Sequence, residues 1–128
     1  VNKNTRYISL AKKVAEQSDY GKFRHGAVLV RGSSVRNMAC NKHRHCHFGK
    51  RFREAHKGNA TLHAELGVIL GMDRAVTQGA TVYTARVNNE GQPRMSKPCP
   101  MCESAMRHVG IRRVVYTDRH GRIESMRL

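Results

Sequence analysis

The chain has 128 residues, a length that suits one ordinary domain and leaves no room for a separate recognition module, so residues 1–128 are expected to form a single domain whose loops carry its specificity. Twenty-four lysines and arginines against nine acids leave a formal charge of +15, denser than one bound phosphate needs, and a polyanion is the natural partner. No run approaches the roughly 18 apolar residues of a membrane span and Val1-Asn2-Lys3-Asn4-Thr5 does not begin a secretory signal, so a soluble, intracellular protein with no membrane partner is expected, its four cysteines suiting metal binding in a reducing compartment better than a disulfide framework.

In chain order, residues 5–17 come first, with Ile8, Leu10, Ala11, Val14 and Ala15 recurring on one face of a helix. A strand is expected at about 27–31, and Gly32-Ser33-Ser34 turns the chain into a second at about 35–40, where Cys40 reads as a buried thiol. The next stretch, as far as Thr61, is polar and rich in cations. Lys42, Arg44, Lys50, Arg51 and Arg53 interleave there with Phe48 and Phe52, and positive charge beside stackable rings suits a single-stranded nucleic acid. A solvated loop is the plainer alternative; a second zinc site using Cys46 and nearby histidines is another, unsupported by any C-x-x-C or H-x-x-x-H spacing. A helix at 63–74, a strand at 80–87, a helix at 100–109 and a strand at 111–117 follow, giving a layered α/β/α domain. Asp118-Arg119-His120-Gly121 suits a hairpin turn, so residues 122–128 should return as an antiparallel fifth strand. Tyr83 and Tyr116 read as core, and His25 and His108 as structural or surface residues.

Two short pieces carry the chemistry. His63-Ala64-Glu65 is followed, some thirty residues on, by Pro98-Cys99-Pro100-Met101-Cys102, and H-x-E before P-C-x-x-C is the known signature of zinc-dependent nucleobase deaminases. His63, Cys99 and Cys102 supply three ligands, which leaves the fourth position of a tetrahedral zinc open for water, as in a catalytic site. A structural knuckle would need a fourth ligand, and Cys40, Cys46 or a neighbouring histidine could provide one. Glu65, two residues from His63, does not share its helical face and is expected to move protons as general acid and base, without binding the metal. Apolar residues at helical spacing follow both motifs, so the ligands should lie at helix N-termini, where the dipole favours a thiolate.

These residues resemble the cytidine deaminase superfamily, and the resemblance extends beyond the motifs. His25-Gly26-Ala27-Val28-Leu29-Val30 resembles its first core strand and Ala39-Cys40-Asn41 the end of its second. The run from Pro98 to Met106, continuing through Ile111-Arg112-Arg113-Val114-Val115-Tyr116, resembles the third helix and fourth strand of tRNA adenosine deaminases and deoxycytidylate deaminases. The resemblance implies a three-layer fold on a mixed five-stranded sheet, Zn2+ as cofactor, and Asn41, Ala64 and Pro98 against the substrate. Two features differ from those branches: residues 88–97 intervene before Pro98, in a loop that should border the active site, and the fifth strand follows the fourth without a helix, as in free cytidine deaminases and some polynucleotide cytidine deaminases. The leading expectation is deamination of cytosine to uracil in single-stranded DNA or RNA. A dCMP-type enzyme acting on a free nucleotide, a tRNA adenosine deaminase, and an inactive zinc-bearing nucleic-acid-binding domain are the alternatives.

Overall fold

The computed structural model describes residues 2–18, 24–45 and 61–128. Helix α1 (Lys3–Ala15) begins where the Asn2 side chain accepts a hydrogen bond from the Thr5 amide at 2.9 Å, and it buries the stripe Tyr7, Ile8, Ala11, Val14 and Ala15. Strands β1 (Arg24–Arg31) and β2 (Ser34–Cys40) form an antiparallel hairpin, and β3 (Lys42–His45) pairs with β4 (Thr61–Leu62) as a small separate sheet. The chain continues through α2 (Ala64–Ile69), α3 (Arg74–Thr77), β5 (Thr81–Val87), the two-residue β6 (Pro93–Arg94), α4 (Pro100–His108), β7 (Arg113–Thr117) and β8 (Ile123–Arg127).

The main sheet has the order β2-β1-β5-β7-β8, with β6 added beside β5. β5 and β7 are parallel and every other neighbouring pair is antiparallel, so the sheet is mixed. A parallel pair needs a crossover, which α4 supplies, whereas β7 reaches β8 through a hairpin whose turn is closed by the Asp118 side chain accepting from the His120 and Arg122 amides at 2.8 and 2.9 Å. The expected antiparallel fifth strand is therefore present.

Alternation along the strands makes three layers. Ala27, Leu29, Val82 and Val114 pack with Ala64, Leu66, Met101 and Met106 on one face, while Val28, Val30, Tyr83 and Val115 pack with Tyr7, Ile8 and Ala11 on the other. Gly26 lets α1 approach closely: a Cβ there would lie 2.2 Å from the Ala11 carbonyl oxygen and 2.5 Å from the Ala15 nitrogen. Among the described residues, no helix is long and apolar enough to cross a membrane.

Three expectations need correction. The helix expected at 63–74 ends at Ile69, because Leu70 turns extended (φ −64°, ψ 129°) and Gly71 adopts φ +75°, after which α3 begins afresh behind Asp73. Cys40 is half-buried, not buried, since it ends β2, which among the described residues is an edge strand of the sheet. The polar stretch after residue 40, read as loop, contributes β3, because its backbone finds β4 as partner.

Candidate active site

Two helix starts deliver the residues of both motifs. His63 and Cys99 are the residues preceding α2 and α4, each with extended backbone (φ −75°, ψ 154° and φ −69°, ψ 163°), and each carbonyl accepts the first helical hydrogen bond, from Gly67 and Glu103, at 2.9 Å. Pro100 begins α4, where its missing N–H costs nothing, and Cys102 follows in the first turn, fully buried.

The chain reaching Cys99 is held by a hydroxyl network that the sequence does not announce. Buried Ser96 donates through Oγ to the Thr84 carbonyl at 3.0 Å, while Thr84 Oγ1 donates to the Ser96 carbonyl at 2.8 Å. The Thr117 amide donates to Ser96 Oγ at 2.7 Å, and the Ser96 amide to the Thr117 carbonyl at 2.9 Å. Thus β5 and β7 clamp residue 96 from both sides, three residues before the first thiol. The alternation of β5 hints that Thr84 points inward, but nothing local to Ser96 signals its partners.

His63 Nδ1 lies 3.2 Å from Cys102 Sγ and 3.7 Å from Cys99 Sγ, and the three ligand atoms lie within 4.8 Å of one another. Tetrahedral zinc, with Zn–S about 2.3 Å and Zn–N about 2.0 Å, sets ligand-to-ligand edges of roughly 3.3–3.8 Å. One imidazole nitrogen and two thiol sulfurs are zinc's preferred donors, so the group fits the ion. Among the described residues no fourth histidine, cysteine or carboxylate joins it: Cys40 does not close the set, and Cys46 lies outside the described residues. Glu65 is not in the group either, yet it is 4% exposed and its Oε1 is buried with no hydrogen-bond partner. A buried carboxylate oxygen without a partner, two residues from a ligand, is a group whose hydrogen-bonding capacity is left for something bound at the site.

The electrostatics follow from this crowding. Hydrogen bonds from Cys102 and then His63 hold the Cys99 thiol down at about 4, whereas the bond to Cys99 and burial push Cys102 well up. The bond to Cys99 raises His63, and burial raises Glu65. Without a cation the two cysteines therefore divide into a thiolate at Cys99 and a thiol at Cys102.

His25, expected to be a structural or surface residue and not a ligand, lies close enough to the site to feel the charges of His63 and Cys99. It pairs across strands with Arg86, and burial first, then the charges of Arg86 and His63, lower it to about 4, so it is neutral at physiological pH. It is not a ligand. Asn41, 8% exposed, is pinned against it: its Oδ1 accepts from the His25 amide at 2.9 Å and from Ser18 Oγ at 2.5 Å. Ala64 and Pro98 are buried next to the ligands. His108 is exposed at the end of α4, and Tyr83 is core, as expected. Lys42 and Arg44 fall on β3, while Phe48, Lys50, Arg51, Phe52 and Arg53 lie outside the described residues.

The family described as the cytidine and deoxycytidylate deaminase zinc-binding region matches residues 1–118. The fold is similar to the apo crystal structure of dCMP deaminase from the cyanophage S-TIM5, with a TM-score of 0.59 and 16% identity over 90% of this chain and 82% of that one. No curated protein sequence matches the chain. At that identity the structural likeness speaks for the fold, and the substrate has to be argued from this chain's own residues.

Proposed function

Because the chain belongs to the cytidine and deoxycytidylate deaminase zinc-binding family, we propose that it is a hydrolytic deaminase converting cytosine to uracil within single-stranded DNA or RNA. The observation that carries the reading is the pairing of a three-donor set with an unpartnered carboxylate: His63, Cys99 and Cys102 converge within 4.8 Å while Glu65 Oε1 stays buried and orphaned beside them. A merely structural site has no use for that carboxylate. One domain, residues 1–128, would carry the whole activity.

His63, Cys99 and Cys102 would hold zinc, which would act there as a Lewis acid and make a water nucleophilic near neutral pH. Glu65 Oε1 accepts the proton of that water as its oxygen forms a bond to C4 of the ring. The same carboxyl hands that proton to N3, then takes the second proton, from the hydroxyl now on C4, and delivers it to the amino group, so that the C4–N4 bond breaks, ammonia leaves and the ring keeps a carbonyl. Burial suits Glu65 to this role, since a carboxyl raised towards neutrality both takes and returns a proton readily. Asn41, held by the His25 amide, and buried Ala64 and Pro98, beside the ligands in the chain, would contact the substrate.

The polynucleotide half of the reading rests on charge. A net +15 on 128 residues exceeds what one mononucleotide needs and suits a chain of phosphates. The test is the Glu65→Ala variant of the zinc-loaded protein, incubated with cytosine-bearing single strands and with free nucleotides: uracil and ammonia are expected from the strand with the parent protein and from neither substrate with the variant. Turnover retained by Glu65→Ala would refute the mechanism, and conversion of dCMP alone would transfer the activity to a free nucleotide.

A further inference from the structure

On the face of the sheet turned away from the ligands, and at its other end, Val30, Thr81, Arg113 and Arg127 form one row across four strands through the pairs Val30–Thr81, Thr81–Arg113 and Arg113–Arg127. With Lys3 and Arg112 they line a cleft of about 360 Å³. Thr81 and Arg113 share the parity of Tyr83 and Val115, which pack under α1, whereas the ligands belong to the layer of α2 and α4. His25 and Val30 are five residues apart on β1, so the cleft lies about 17 Å along the sheet from the active-site end, at about 3.4 Å per residue.

Three of these charges oppose folding, in two ways. Arg113 and Arg127 stand directly opposite each other, and like charges at facing positions of an antiparallel pair are destabilising. Lys3 occupies the first turn of α1, which holds no acid, at the positive end of the helix dipole. Among the described residues the ion pair found joins Glu103 to Arg107, and none is found at Lys3, Arg112, Arg113 or Arg127. Tyr83, which also lines the cleft, donates through its hydroxyl to Asn4 Oδ1 at 3.4 Å.

An external anion removes both costs at once. The cleft presents charge and no stacking platform, since the Tyr83 ring is 1% exposed and tilted against Tyr7 at 4.9 Å between centroids. It is thus built for phosphates and not for bases. We infer that this cleft is a second anchor for the sugar–phosphate backbone of a single strand, remote from the reacting base; the inference rests on the polynucleotide reading above. A strand long enough to reach both ends of the sheet gains affinity from the second contact without any change at the zinc ligands.

The test is the salt dependence of binding of a labelled oligonucleotide of that length to the parent, to Arg113→Gln/Arg127→Gln and to Lys3→Gln/Arg112→Gln, with inorganic tripolyphosphate as a separate ligand. Each double variant should bind the strand more than about tenfold more weakly at 0.1 M salt, with a log–log salt slope shallower by about 1.4 for two lost contacts. Melting of Arg113→Gln/Arg127→Gln without phosphate should occur at or above the parent temperature; if that variant does not fold, the exposed Lys3/Arg112 pair decides. Unchanged affinity and slope in the variants, with the parent binding the strand, overturn this inference alone. Loss of tripolyphosphate binding with strand binding intact also overturns it, because the cleft then serves a free polyphosphate. A parent that binds no strand overturns it together with the polynucleotide reading.

Discussion

In the proposed mechanism the chemistry turns on Glu65, which is buried and whose Oε1 has no hydrogen-bond partner. Glu65→Gln keeps its volume and burial and removes the proton carrier. Zinc content and melting temperature should hold while turnover falls by about 10²–10⁴-fold or more, measured as ammonia released. The ligands make a different prediction. Cys102 is pushed well up and His63 is raised, so binding zinc must expel protons that the metal-free site retains. Calorimetry in two buffers of different ionisation enthalpy should show net proton release at pH 7, and the affinity should weaken as pH falls, because protons then compete for the same atoms. Zinc affinity independent of pH between about 5 and 8 would contradict the ligand set.

At the scale of elements, the join between α1 and β1 is the tightest in the fold. Gly26→Ala places a methyl 2.2 Å from the Ala11 carbonyl oxygen, and since backbone on both sides must yield, the loss should be at least about 2 kcal/mol, read as a lower midpoint in denaturant. The core strands were legible because period-2 alternation at Ala27, Val28, Leu29 and Val30 feeds two separate layers, and the zinc ligands because their spacing is itself chemical. Other features were hidden for physical reasons. The end of α2 depends on a left-handed Gly71 inside an otherwise helical pattern of apolar residues, and β6 exists only because Pro93 and Arg94 fall beside Val87 and Arg86. The Ser96 clamp joins hydroxyls from three distant segments, and His25 reaches the site through a strand register that periodicity does not specify.

At the scale of the whole molecule, charge selects the partner. Neutralising Lys42, Arg44, Lys50, Arg51 and Arg53 together should weaken single-strand binding by orders of magnitude and flatten its salt dependence, leaving zinc content unchanged, and Phe48→Ala or Phe52→Ala should cost about 1–3 kcal/mol where the ring stacks on a base. All of this presupposes that the zinc site acts on a base carried by a strand. The most direct test is mass spectrometry of mixed single-stranded oligonucleotides and free cytidine nucleotides after incubation with the zinc-loaded protein. Cytosine should become uracil within the strands, with one ammonia released per base, and none should convert with Glu65→Gln. Strands left unchanged, whether or not dCMP or cytidine is deaminated, would contradict the account.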